Sequence, residues 1–225
     1  MHAVTAVIPA YNEATRLPQV LRVVQQATLV HEIIVVDDGS HDGTAEAAHD
    51  CGVTVCRLPE NCGKGTAMRA GALHATDDIL LFLDADLIGL TPAQVDALIR
   101  PVLTEQVGMA VGIFQGGRTA TDLAQFLSPS LSGQRCLTRE FFLSAPLIEG
   151  SRSGVEVALT AHARAHHLAL ALVPLDGATH TMKEEKIGVL RGAFSRTRMY
   201  FDIVRTLLRY HLTTRVPGKS LTGNK

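Results

Sequence analysis

A chain of 225 residues with 46% hydrophobic and 19% charged residues has an ordinary globular composition and room for one substantial core. A net charge of −1 and an aromatic content of 4% without tryptophan exclude a global electrostatic footprint for nucleic acid and a base-stacking platform. The cysteines, Cys51, Cys56, Cys62 and Cys136, form no CxxC pair, so reduced thiols are expected rather than a zinc knuckle or a disulfide framework.

Val4–Ile8 is apolar, β-branched and stops at Pro9, the pattern of a buried first strand. Leu17, Val20, Leu21 and Val24 follow at helical spacing, and Glu32–Val36 repeats the strand pattern before Asp37-Asp38-Gly39-Ser40. The alternation continues with helices near Thr44–Asp50 and Gly65–Ala75 and strands at Val53–Leu58 and Ile79–Leu83. Apolar strands separated by helices imply an α/β fold whose mainly parallel sheet is flanked by helices on both faces.

Thr91-Pro92 starts a helix running toward Leu103, and Val107–Phe114 reads as a strand leading into Gly116-Gly117-Arg118. Thr119–Gly154 is less regular, with a short helix expected at Thr138–Leu143. Val155–Ala165 reads as a helix, Leu168–Val173 as a strand and Lys186–Leu212 as a long helix, with Pro217–Lys225 a frayed tail. His162, His166 and His167, on or after a helix and outside any motif, are expected at the surface. A single domain over residues 1–182 is expected, with a tail at 183–225.

That tail carries ten bases against three acids, about +7, which leaves the remainder about −8. Its basic residues suit an anionic acceptor, a lipid surface, a partner subunit or a solvated face. With no leader pattern and no run of ~20 apolar residues, a cytoplasmic protein, at most peripheral at the inner face of the membrane, is expected.

Ligands of open α/β sheets bind beyond the carboxyl ends of the strands. Tyr11-Asn12-Glu13, Asp37–Ser40 and Asp84-Ala85-Asp86 all fall at such ends and should converge on one crevice. In Asp84-Ala85-Asp86 two carboxylates leave the sheet around a small residue that lets a ligand approach, an arrangement suited to Mg²⁺ or Mn²⁺ shared with substrate phosphates. Two solvated turn aspartates are the alternative. Asn61-Cys62-Gly63-Lys64-Gly65 puts glycines before a helix, where backbone N–H groups and Lys64 can meet phosphate or ribose oxygens; its spacing is not that of a Walker loop.

Ile8-Pro9-Ala10-Tyr11-Asn12-Glu13, the Asp37–Thr44 segment, Asn61–Gly65 and Leu83–Asp86 occur in this order, and together they resemble the nucleotide-sugar half of the GT-A glycosyltransferases of the family-2-like branch. The resemblance implies a Rossmann-like GT-A fold with residues 1–115 as the nucleotide-sugar half and 116–182 as the acceptor half. It assigns Pro9, Tyr11, Glu13 and Asp38 to the nucleoside pocket, with Gly63, Lys64, Asp84 and Ala85 along the rest of the donor. Asp86, assisted by Asp84 and by His180, would hold Mn²⁺ or Mg²⁺.

Ser132-Gly133-Gln134-Arg135 resembles an acceptor-side loop of this group. Ser151–Glu156 resembles the Gly-Val-Glu stretch of glucosyl-3-phosphoglycerate synthases, which would set Glu156 near the acceptor as a candidate base; a helix-start glutamate favoured by the macrodipole is the plainer reading. The implied activity is metal-dependent transfer of a sugar from a UDP- or GDP-linked donor to a hydroxyl or phosphate acceptor, the acceptor being anionic, a sugar or a lipid phosphate. Alternatives are a nucleotidyltransferase, against which Pro9–Glu13 stands where a Gly-rich basic loop is normal, and an idle nucleotide-sugar-binding scaffold at a membrane.

Overall fold

The computed structural model describes residues 3–115, 132–146 and 154–180. A seven-stranded sheet forms the centre, in the order β3-β2-β1-β4-β7-β6-β8. Its strands are β1 (Val4–Ala10), β2 (Glu32–Asp37), β3 (Thr54–Arg57), β4 (Ile79–Phe82), β6 (Met109–Gln115), β7 (Arg135–Thr138) and β8 (Leu170–Asp176). A two-stranded ribbon pairs β5 (Leu87–Ile88) with β9 (Thr179–His180).

β1 pairs in parallel with both β2 and β4, and β2 in parallel with β3. The chain therefore runs outward on both sides of β1, and the gap between the carboxyl ends of β1 and β4 is a topological switch point. β7 alone is reversed, antiparallel to β4 and to β6, whereas β6 and β8 are parallel.

Six helices among the described residues cover the sheet: α1 (Leu17–Val24), α2 (Thr44–Asp50), α3 (Lys64–His74), α4 (Pro92–Leu103), α5 (Arg139–Ser144) and α6 (Val155–Ala165). One core sets Leu17, Leu21, Val95 and Ile99 of α1 and α4 under Ala6 and Ile8 of β1. The opposite core sets Met68, Phe142 and Leu159 of α3, α5 and α6 against Val7, Phe82 and Leu137. Alternate residues of β1 thus enter opposite cores, which is why the strand is apolar on both faces apart from Thr5, whose hydroxyl donates to Glu32 and Asp77. α3 lies close on the sheet, because a Cβ at Gly71 would overlap Val7 Cγ1 and stand 3.0 Å from Val36 Cγ2. α4 begins with a capping box: Gln94 N–H donates to Thr91 Oγ1, and Thr91 N–H donates to Gln94 Oε1.

The mainly parallel α/β sandwich in one domain matches the expectation from sequence. β7 does not: Arg135–Thr138 is a central strand, where the sequence had suggested a loop running directly into a helix. Four residues offer too short a pattern to separate strand from helix start. β8 runs to Asp176, beyond the expected Leu168–Val173, and β5 and β9 were not anticipated. His162 also departs from expectation. It is buried, 4% exposed, between α5 and α6, whereas His166 and His167 are exposed. The expected helix at Lys186–Leu212 and the tail to Lys225 lie outside the described residues, as do Gly116–Gly117–Arg118 and Ser151–Ser153. No helix among the described residues is long and apolar enough to cross a membrane.

Candidate functional site

A cleft of about 340 Å³ opens at the switch point. Pro9, Ala10, Tyr11 and Glu13 enter it from the end of β1, and Asp38 from the end of β2. Asn61, Gly63, Lys64 and Ala67 line it from the start of α3, and Asp84, Ala85 and Asp86 from the end of β4. Nine of the residues singled out in the sequence thus share one cavity.

The first two loops are interlocked. Asn12 N–H donates to Ser40 Oγ (2.9 Å), His41 N–H donates to Asn12 Oδ1 (3.0 Å), and Glu13 N–H donates to Thr44 Oγ1 (2.9 Å). Asn12 holds a left-handed conformation with φ of 54°, which turns the chain so that Tyr11, 42% exposed, stands at the rim. Asp37 is fully buried. Its Oδ1 accepts from Ser40 N–H, and its Oδ2 lies 3.4 Å from Arg57 Nε as an ion pair without hydrogen-bond geometry.

Asp38 is 4% exposed, and its two oxygens accept from Cys62 N–H (2.8 Å) and Gly63 N–H (2.9 Å). The carboxylate therefore clamps the glycine loop ahead of α3 at the lining of the cleft. Gly63, at φ 94°, makes the bend that delivers Lys64 to the first position of α3.

A lysine at a helix start opposes the macrodipole, and here two carboxylates offset that cost. Lys64 Nζ is 2.6 Å from Asp84 Oδ1 and 2.6 Å from Glu156 Oε1. Burial pulls the Lys64 amine down, but Asp84 and Glu156 together outweigh it and hold the amine above the ordinary lysine range. Asp84 Oδ2 accepts from Gln134 Nε2 (2.8 Å), and Gln134 Oε1 accepts from Ser132 Oγ (3.0 Å). Gly133 crosses so closely that a Cβ there would stand 2.5 and 2.7 Å from the Asp84 oxygens and 2.7 Å from Lys64 Nζ.

Arg135 lies behind this cluster, fully buried. Its Nε donates to Ser132 O (2.8 Å) and its Nη1 to Thr160 Oγ1 (2.9 Å). Burial lowers the guanidinium to about 10, opposed by the nearby Glu156 charge.

The residues expected on the acceptor side are therefore arranged otherwise than a contact loop would be. Ser132 is 6% exposed, and Gln134 and Arg135 are fully buried, so these three brace Asp84 and α6 from the interior. Glu156, in the first turn of α6, is tied to Lys64. Asp84, expected beside a cation, has a protein partner on each oxygen, and Asp86 lines the cleft beside it. His180 pairs through its backbone with Leu87, one residue beyond Asp86. Among the described residues no group of three or more His, Cys, Asp or Glu side chains is spaced to hold a metal ion by itself. Asn61 and the Thr160 link were not anticipated, and Gln134 was not foreseen as a partner of Asp84. Asn61 falls inside a quoted motif, but nothing in the local pattern signals the other two.

Residues 5–155 match the model of glycosyl transferase family 2. The chain belongs to glycosyl transferase family 2. Among other members, it is 34% identical over 110 residues to a 4,4'-diaponeurosporenoate glycosyltransferase of Staphylococcus haemolyticus, covering 46% of this chain and 29% of that protein. It is 38% identical over 96 residues to a dolichyl-phosphate beta-glucosyltransferase of Trichomonas vaginalis, covering 36% of this chain and 28% of that protein. The matched stretch thus spans less than a third of these curated family 2 relatives. A glucosyl-3-phosphoglycerate synthase from Mycobacterium tuberculosis, solved with Mn²⁺, UDP and glucosyl-3-phosphoglycerate, superposes with a TM-score of 0.72 at 30% identity, covering 93% of this chain and 80% of that one.

Proposed function

We propose that this family 2 member transfers a sugar from a nucleoside-diphosphate sugar, with a divalent cation bound in the cleft, to an acceptor that bears a phosphate. The observation that carries this reading is the convergence of the β1, β2 and β4 loops and the α3 start on one cleft of about 340 Å³. Pro9, Tyr11 and Asp38 suit a base and ribose at one end, and Lys64, Asp84 and Asp86 suit a diphosphate and sugar at the other. The superposable synthase, solved with Mn²⁺ and UDP, supports a nucleoside diphosphate and a divalent cation as ligands, and the phosphate-bearing compounds named for that synthase and for the dolichyl-phosphate glucosyltransferase support the acceptor class.

Asp86 and, from the β9 side, His180 are the residues to hold Mn²⁺ or Mg²⁺, with Asp84 bracing the turn through Lys64 and Gln134. A bound cation supplies charge neutralisation where the nucleoside diphosphate leaves the anomeric carbon. Lys64 adds a fixed positive charge beside the same oxygens. The start of α3 lines the cleft with Gly63 and Lys64, and a helix N-terminus favours an anion there. Glu156 orients Lys64; a hydroxyl acceptor would draw on this carboxylate for proton removal, whereas a phosphate acceptor requires no base.

Thermal-shift titration with UDP and with GDP, each with Mn²⁺, followed by transfer assays with the matching nucleotide sugars, tests the reading. Wild-type protein is expected to bind one of them with Mn²⁺ and to release that diphosphate on turnover. Asp86→Ala is expected to fold and to lose metal-dependent transfer at least a hundredfold. Full turnover with normal metal response in Asp86→Ala would overturn the assignment.

A further inference from the structure

Arg135 is the largest fully buried side chain of the described residues. It opens β7, facing Phe82 on β4 and Val111 on β6 in register, and it shares the sheet face that carries Leu137. In such surroundings an apolar residue of similar volume avoids the steep desolvation cost of a guanidinium, and buried ion pairs are commonly replaced by hydrophobic groups without loss of stability. A cation kept there calls for a reason other than packing.

Its bonds supply one. Nε donates to Ser132 O, the start of the turn that brings Gly133 against Asp84 and directs Gln134 Nε2 onto Asp84 Oδ2. Nη1 donates to Thr160 Oγ1, which in turn donates to Glu156 O in the first turn of α6. One guanidinium therefore ties together the two segments that deliver Gln134 to Asp84 and Glu156 to Lys64. It also balances charge, since Lys64 and Arg135 together match Asp84 and Glu156. The nucleoside end of the cleft, built from the β1 and β2 loops, takes no part in these bonds.

We propose that Arg135 is a positioning residue for the sugar end of the donor site, acting through the Ser132–Gln134 turn and the first turn of α6 to hold Lys64, Asp84 and Glu156 in one constellation without itself touching substrate. This rests on the nucleotide-sugar reading above. It separates two functions of one cleft: the base and ribose contacts that dominate nucleoside diphosphate affinity are independent of Arg135, and the alignment of the sugar for transfer depends on it. Misplacing a reacting group by a fraction of an ångström acts on turnover more than on ground-state affinity.

The test compares wild type with Arg135→Met, Arg135→Lys and Thr160→Val. Melting temperature, affinity for UDP or GDP with Mn²⁺, and kcat and KM for the nucleotide sugar are measured on each. Expected are nucleoside diphosphate affinities within threefold of wild type in all three. With donor KM moved less than threefold, kcat falls at least tenfold in Arg135→Met and by a smaller factor in Arg135→Lys and Thr160→Val. Should Arg135→Met fail to fold, the other two variants decide the matter. A kcat within twofold of wild type in the folded variants, with only the melting temperature lowered, makes the role purely structural and overturns the proposal. So does a parallel loss of diphosphate affinity. Wild-type protein that binds neither UDP nor GDP overturns the donor-site reading itself, and this inference with it, and is recognised because it appears before any substitution.

Discussion

Lys64 Nζ lies 2.6 Å from Glu156 Oε1, joining the start of α3 to the first turn of α6 across 92 residues of chain. With Asp84 on its other side, Lys64 is the point at which the loops of the cleft meet the second half of the fold.

Replacing Lys64 with Met leaves two carboxylates facing each other with one cation fewer. Removing one partner from a fully buried pair costs roughly 3–5 kcal/mol, and the partial exposure of this cluster reduces that to about 2 kcal/mol, or ~4–8 °C in Tm. The folded amine titrates above its unfolded value of ~10.5, so its contribution is fully present below that pH and is lost only as pH rises beyond it. Melting curves of Lys64→Met and wild type should therefore differ by the same amount at pH 6.5 and pH 8.5.

Gly133→Ala tests how close the turn must come. The atoms nearest the new methyl would be the ends of the Asp84 and Lys64 side chains, which can swing aside, so Tm is expected to change by less than about 3 °C. The ion pair would be displaced, and transfer should fall at least tenfold. Full activity in this variant, measured beside its melting curve, would show that the Lys64–Asp84 contact is not needed.

Gly39 presents the opposite case. Its φ of 71° is left-handed, and a Cβ would stand 2.7 Å from Asn61 N, within backbone that cannot yield. Gly39→Ala is expected to cost about 3 kcal/mol in urea unfolding, combining left-handed strain with overpacking. Gly52→Ala, at φ 73° with open space around it, should cost only about 1 kcal/mol.

His162 predicts an acid response. Burial, and then the neighbouring His166, push its pKa below the ordinary histidine value. Its Nε2 lies 3.1 Å from Ser144 Oγ, and its ring stacks on Phe141 with centroids 4.8 Å apart. The unfolded chain takes up the proton first, so stability is unaffected above the unfolded pKa of ~6.5 and declines as pH falls through it toward the lowered folded value. The fall in Tm between pH 7.5 and pH 5.5 should be smaller in His162→Gln than in wild type.

Much of the fold was legible because the first half of the chain is built of local signals: apolar runs bounded by Pro9, Gly39 and Asp84, and helices opened by residues such as Thr91. The helix at Val155–Ala165 has the bounds its sequence pattern predicts, and the nine cleft residues stand in motifs visible in the sequence. β7 escaped because a four-residue strand with a buried arginine resembles neither an alternating nor an apolar pattern. His162 was misplaced because its burial is set by packing of α5 on α6, not by its own periodicity.

The division has a physical basis. Strands, helix starts and carboxyl-end loops depend on neighbours within a few residues, so their patterns survive in one dimension and led to the family before the fold was seen. The partners of Asp84 come from positions 20, 50 and, through Lys64, 72 residues away, and Arg135 is linked to the Glu156 carbonyl by way of Thr160. Such contacts exist only after the reversed strand β7 has been inserted between β4 and β6, because that insertion carries Gly133 and Gln134 to Asp84 and buries Gln134 and Arg135 in the interior.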